Sequence, residues 1–278
     1  MSTQNALLSI LVDKINNDTL VLPTLPAIAL KVRKTADDPN VNLNAMGDVV
    51  GKDPSLSMRM IKIANSAYLG RTVKVTSIGQ AVTRIGLRQI KNISTALAME
   101  QLFVSKNGVV GNYMKREWEN TVNVVAYSMA ALQLYNNRTK KRELNLDTMT
   151  LAALVYHIGV LPILTEAERH EEIFANPTFL EVAIDKLAGR IGGSIMRAWG
   201  FDKDFTMVAE SWNDLAVMPN TLSYIDFVRI GAALAGKVDS QKDAILNLAI
   251  QRGALEDINE LTTDEFKEMC ASAKQVFA

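Results

Sequence analysis

Apolar residues recur at spacings of three and four along most of the chain, while Val-, Ile- and Thr-rich runs with strict alternation are missing. The pattern predicts an all-α fold with little from which to build a sheet. Leu7, Leu8, Leu11 and Ile15 fall on one stripe of a first helix over residues 3–17, which the loop VLPTLP, with Pro23 and Pro26, must end. A second helix is expected over 26–38, stopped by Pro39, and Asn42 or Asn44 can cap a short helix through Val50. Asp53 before Pro54 signals another start, because the carboxylate accepts the free amides and the proline sits where its missing N–H costs nothing. That helix should carry Leu56, Met60, Ile63 and Ala67 inward. Ser77 and Gln80 have capping-box spacing ahead of Ala81, Val82 and Ile85, and a longer helix should run over 87–104.

The stretch SKNGVVGN, residues 105–112, reads as an internal boundary because its glycines and turn-prone residues separate strongly periodic segments. Beyond it, Trp118, Val122, Val125, Met129 and Leu132 make one buried stripe on a helix ending near Asn136, followed by the basic turn NNRTKKREL. Helices over 147–157, 179–199 and 205–214 should follow, with a hairpin-like region around Pro162. Two or three more lie past Pro219, the last opened by Thr262 and Glu265 at capping-box spacing. Neither a fixed-period repeat nor a flexible linker is visible.

Composition narrows the class. The 278 residues can bury a core without staples, and 48% hydrophobic with 22% charged is an ordinary globular mix. Thirty basic residues balance thirty acidic ones, so no global field draws the chain to nucleic acid or an anionic membrane. Cys270 is the single cysteine, and MSTQNALLSILVDKINND lacks the basic start and small-residue cleavage site of a secretory signal, so a cytoplasmic protein is expected. Even LNLDTMTLAALVYHIGVLPIL carries polar groups and a proline, which argues against a membrane span.

His157 follows the apolar run LAALVY and would ordinarily be a hydrogen-bonded core histidine; His170, in EAERHEEI, belongs to a solvated face. Neither has a partner at zinc-site spacing. Asp202, Asp204, Glu210 and Asp214 cluster around Trp199 and Trp212, but such groupings are common in a helical protein with thirty acids. Ser194 lacks a strand–turn–helix elbow, and GRIGGS lacks the order and the lysine of a phosphate loop, so close helix packing explains its glycines better. Basic residues gather at Lys31, Arg33 and Lys34, at Arg84, Arg88 and Lys91, and at Lys140, Lys141 and Arg142. The middle trio, spaced four and three, would share a helical face able to hold an anion or acidic partner, although a solvated face is the plainer reading. Nucleic-acid binding would want aromatics interleaved with that charge, and only 6% of the chain is aromatic.

The order of LPTLPAIALKV, VVGKDPSLSMRMIKIANSAYLG and VTSIGQAVTRIGLRQIKNI resembles the first half of an HDOD domain, the HD-related output domain of bacterial signalling proteins. DPSLSMRMIKIANSAY and SIGQAVTRIG are the most distinctive pieces, and the likeness continues more weakly to about Asp214. The resemblance implies kinship with HD phosphohydrolases, whose histidines and aspartates hold metal ions that activate water. In REWENTVNVVA the place of the first HD histidine falls at Asn120, and in LVYHIGVL the His-Asp pair is replaced by Tyr156 and His157. The later paired histidines fall at Trp212 and Asn213 and the last aspartate at Gly231. Tyr, Trp and Gly cannot stand in for anionic or imidazole ligands, so neither metal nor cofactor is expected.

The resemblance therefore implies a non-catalytic regulatory or scaffold module of bacterial signal transduction, with an HDOD domain over 1–215, in sub-bundles 1–106 and 107–215, and a helical extension over 216–278. Its expected partner is a signalling protein such as a response regulator, a kinase or a cyclic-dinucleotide enzyme, not nucleic acid or membrane. Two rivals stand beside this reading: a metal-dependent phosphohydrolase of the HD superfamily, and a small-ligand sensor whose vestigial cleft uses His157 and Asn120 as polar contacts and Trp212 as a stacking wall. The extension either docks on its own second bundle or makes a homodimer.

Overall fold

The computed structural model describes residues 3–65, 73–141, 143–170, 177–275 and 277, and the side chains of 3–7 and 177 fall outside that description, as do Ala67 and Arg142. The described residues are all-α, with no strand among them. Helices α1 (Thr3–Asn16), α2 (Ala27–Ala36), α3 (Leu43–Gly51), α4 (Pro54–Ala64), α5 (Ile78–Ile85) and α6 (Leu87–Met99) fill the first hundred residues. Local chemistry sets their starts. Asn42 accepts the Ala45 amide at 2.9 Å and Asp53 that of Leu56 at 2.9 Å, each saturating a donor with no intrahelical partner. Ser77 caps α5 by accepting from Gln80 N at 3.3 Å, but the Gln80 side chain reaches back to Thr76 N at 3.0 Å instead of closing a box on Ser77. A 3₁₀ turn, Glu100–Leu102, takes up the end of the segment expected to continue α6.

The long α7 (Gly108–Thr139) begins inside the predicted boundary stretch, capped by Asn107, and ends at Lys140, whose φ of 58° breaks the helix. It is followed by α8 (Leu146–Val155), α9 (Val160–Ala167), α10 (Pro177–Ala198) and α11 (Lys203–Ser211). The region expected to be hairpin-like is helix: Pro162 lies in the first turn of α9, where no intrahelical bond needs its N–H. Three further helices, α12 (Tyr224–Leu234), α13 (Lys242–Gln251) and α14 (Asp264–Lys274), complete the chain. The N-cap of α14 is Thr263, one residue later than expected, accepting from Phe266 N at 3.2 Å.

The helices form two bundles joined by one continuous core. In one, α2 to α6 pack together; in the other, α7 is the spine against which α8, α12 and α14 lie, while α10 packs on α9 and α11, and α6 against α8 bridges the halves. α1 rests on α9 and α10, with Lys14 paired to the buried Glu166 and Arg190 bonded to Asn16, so the chain's first helix belongs with the second bundle. The tail docks on the spine: Phe266 stacks on Tyr127 with centroids 6.3 Å apart, and Phe277 meets Trp118 edge-on at 6.3 Å. Glycine permits the closest crossings. A Cβ on Gly159 would lie 1.9 Å from the Ala188 carbonyl oxygen, and one on Gly192 2.8 Å from that of Ala209, so the glycines of GRIGGS do serve packing. The segment Leu146–Ala167 is long and apolar enough to cross a membrane, yet 83% of its window is buried within the fold as core.

Candidate functional site

A cleft of about 800 Å³ opens between α7, α10, the turn after α8, the end of α11 and the loop after α12. On α7, Tyr113, Arg116, Glu117 and Asn120 repeat at three to four residues and so share one face toward it. His157 lies in the turn where α8 stops, Trp212 and Asn213 follow the last turn of α11, and Lys237 follows Gly236, whose φ of 70° turns the chain back toward α7.

Glu117 is the centre of the site. Lys237 Nζ donates to its Oε1 at 3.1 Å and lies 3.4 Å from Oε2, while His157 Nδ1 stands 3.2 Å from Oε2. Burial alone would raise this carboxyl, but the hydrogen bond and charge of His157, together with Lys237, overcome it and bring the pKa from 4.5 down to about 2. An ionised carboxylate only accepts, so the proton between the two groups resides on His157 Nδ1. The imidazole is held by rings as well: Trp212 meets it edge-on at 5.7 Å and meets Tyr156 edge-on at 4.9 Å.

Of the residues singled out in the sequence, Asn120, His157, Trp212 and Asn213 line the cleft together. Tyr156 does not. It is fully buried behind His157, its phenol pushed well above the usual range by that burial and then by the Glu117 charge. A residue next to His157 in sequence points the other way as α8 ends, which is why adjacency failed as a guide. Gly231 lies where α12 crosses α7, and a Cβ there would be 2.2 Å from Ser128 Oγ and 2.6 Å from the Val124 carbonyl oxygen, so it is a contact of helix packing. Glu117 and Lys237 were missed. Glu117 could have been found three residues before Asn120 on the same helical face, but nothing local marks Lys237, 120 residues away in the tail.

The basic trio does not form the expected face. Gly86, with a φ of 90°, separates α5 from α6, so Arg84 sits on one helix and Arg88 and Lys91 on the next. The Arg84 guanidinium donates to the carbonyl oxygens of Ala64 and Val73, Lys91 pairs with Asp37, and Arg88 is exposed. Among the acids, Glu210 pairs with Arg197 and Asp214 accepts the Ala216 amide, so both serve structure. His170 stands 3.9 Å from Glu166 in the ion cluster that also holds Lys14.

The loop carrying Trp212 and Asn213 is built on Arg229 of α12. This guanidinium, 2% exposed, donates to the carbonyl oxygens of Trp212 (3.0 Å), Ser211 (3.1 Å), Asp214 (2.6 Å) and Val217 (2.8 Å). One buried cation thus caps the end of α11 and fixes the cleft's aromatic wall.

The donor set fits a metal ion poorly. Among the described residues no three of His, Cys, Asp or Glu gather as a cation would need, and in the cleft's carboxylate–imidazole pair, Glu117 with His157, the carboxylate already holds an ammonium group.

Comparison with known proteins places this geometry. The HDOD domain profile matches residues 22–214. A solved structure from Shewanella amazonensis SB2B, assigned provisionally as a metal-dependent phosphohydrolase, is 38% identical with a TM-score of 0.94, each chain covering 100% of the other. One from Marinobacter aquaeolei VT8, assigned provisionally to signal transduction, has a TM-score of 0.62 at 18% identity, the match covering 99% of this chain and 65% of that one. An uncharacterized protein of Treponema pallidum (strain Nichols) is 31% identical over 72 residues, which is 26% of this chain and 14% of that longer relative.

Proposed function

The chain belongs to the HDOD family, a degenerate relative of the HD-type metal-dependent phosphohydrolases, and we propose that it is a non-catalytic regulatory module of signal transduction that acts by binding a protein partner. The observation that carries this reading is the Lys237–Glu117–His157 arrangement. A divalent ion at Glu117 would have to displace a lysine ammonium from a carboxylate it already neutralises, and would then find one carboxylate and one imidazole within reach, since no three of His, Cys, Asp or Glu gather among the described residues, short of the three protein ligands that hold a catalytic metal. Asn120, Trp212 and Asn213 add no anionic ligand. The provisional assignment of the Shewanella amazonensis relative points the other way, and the cleft chemistry is our reason for preferring a regulatory role.

We read residues 1–215 as the HDOD unit and 216–278 as an extension that supplies the cleft's Lys237 wall. The family and the signalling assignment of the Marinobacter aquaeolei structure support a partner such as a response regulator, a kinase or a cyclic-dinucleotide enzyme. Recovery of intact complexes from native cells, with mass identification, tests this. A signalling protein in stoichiometric association is the expected result, and isolation of the chain alone at native abundance refutes partner binding.

A further inference from the structure

Charge that sums to zero over the whole chain is unevenly placed along it. Residues 42–92 carry eight lysines and arginines against two aspartates, while residues 143–278 carry eleven against twenty-one acids. The basic excess gathers on one corner of the first bundle. Asn65 accepts the Val75 amide at 2.7 Å and donates to its carbonyl oxygen at 2.8 Å, and Arg84 donates to the carbonyl oxygens of Ala64 and Val73, so residues 73–75 are pinned to the ends of α4 and α5. Arg59 and Lys91 are taken by Glu100 and Asp37. Lys62, Lys74 and Arg88 are exposed around this corner, and with them stand the two most exposed large apolar side chains among the described residues, Met58 at 74% and Val73 at 71%. Met58 and Lys62, four residues apart, share one face of α4. Apolar side chains left in water inside a charged rim have the makeup of a protein contact.

A face of opposite sign lies on the extension of the same chain. Residues 256–268 hold six acids against one lysine. Arg138 of α7 fixes the start of this stretch, donating to the carbonyl oxygens of Gly253 and Ala254 and to the Glu260 carboxylate. Glu256, Glu265 and Glu268 are exposed, and Ile258 is an exposed apolar side chain in the same stretch. Each face therefore presents apolar side chains within charge of one sign, and the two signs are complementary. Both backbones are already held by a guanidinium, so their meeting orders little and keeps more of the contact energy.

We propose that the basic corner of one copy seats residues 256–268 of a second copy, the contact repeating about a two-fold axis to close a homodimer. Nucleic acid is a poorer occupant. The Arg59 and Arg84 guanidiniums that could fork onto phosphates are committed within the fold, and residues 54–65 and 73–92 contain no aromatic side chain on which a base could stack. The inference stands apart from the reading of a signalling partner, since it needs only this chain.

Sedimentation velocity of the isolated full chain decides it, in about 30 mM and about 500 mM sodium chloride, between which the screening length falls about fourfold. The expected result is a dimer at low salt whose Kd rises at least about tenfold at high salt. Lys62→Glu/Lys74→Glu/Arg88→Glu and Glu256→Lys/Glu265→Lys/Glu268→Lys should each be monomeric at low salt, because like charges then face each other across both contacts. An equimolar mixture of the two should dimerise again, since each variant offers the charge that the other now lacks. All six positions are exposed, so thermal melts should keep both variants close to the parent; if one melts early, the salt series and the other variant carry the test. A parent chain that is monomeric at low salt, whether or not it then binds a DNA duplex or phosphatidylserine vesicles, would overturn the proposal. So would a dimer unmoved by salt and by the variants, or a mixture of folded variants that stays monomeric.

Discussion

Replacing Arg229 with methionine should be among the most damaging single changes in this chain, and its size can be worked from the bonds lost. Methionine fills much of the aliphatic volume but donates nothing, so the carbonyl oxygens of Ser211, Trp212, Asp214 and Val217 lose their shared donor. A buried acceptor left unsatisfied costs about 1–3 kcal/mol. Water can reach the partly buried carbonyls, and removing the cation relieves its own desolvation, so the net loss should be about 3–5 kcal/mol. For a chain of this size that is a fall of about 10 °C in Tm. Arg229→Lys should recover little, because one ammonium cannot span four carbonyls that a planar guanidinium reaches at once. Urea unfolding followed by circular dichroism measures the loss. Tryptophan fluorescence adds a local readout, since Trp212, now 5% exposed, should shift to the red before helicity is lost. A change below about 1 kcal/mol, or full recovery with lysine, would refute the reasoning.

Two further outcomes follow from the same structure. Glu117 has its folded-state pKa depressed to about 2, so its contribution, about 3 kcal/mol, is fully present above pH 4.5 and is lost as pH falls toward 2. Between pH 6 and pH 3, wild type should therefore lose more urea stability than Lys237→Met, and equal losses would contradict the assignment. Gly159→Ala should destabilise by about 2–3 kcal/mol because its Cβ meets backbone of α10, whereas Gly47→Ala, with no atom within 4 Å of the new Cβ, should stabilise α3 by about 0.5–1 kcal/mol; thermal melts of the pair check the contrast.

What could be read from the sequence was what local chemistry decides. Asn42 and Asp53 cap helices because a side-chain oxygen two or three residues before a free amide can hardly serve otherwise, and the stripe from Trp118 to Leu132 announces the spine. Pro162 misled because proline is a breaker everywhere except a first turn, and the start of α9 carries no cap residue to mark it. The face expected from Arg84, Arg88 and Lys91 dissolved at Gly86, whose left-handed backbone ends one helix and starts another within a single residue. Asn120, His157, Trp212 and Asn213 were legible through family motifs. Lys237 was not: its contact with Glu117 depends on how α12 lies across α7, which three-dimensional packing alone decides.

The central proposal is that Glu117, held by the Lys237 ammonium and paired with His157, supports no hydrolytic metal. The most direct measurement combines manganese binding by calorimetry with hydrolysis of p-nitrophenyl phosphate, for wild type and His157→Ala purified identically. The account predicts no stoichiometric manganese binding and the same background rate for both proteins. Stoichiometric binding together with hydrolysis that vanishes in His157→Ala would contradict it.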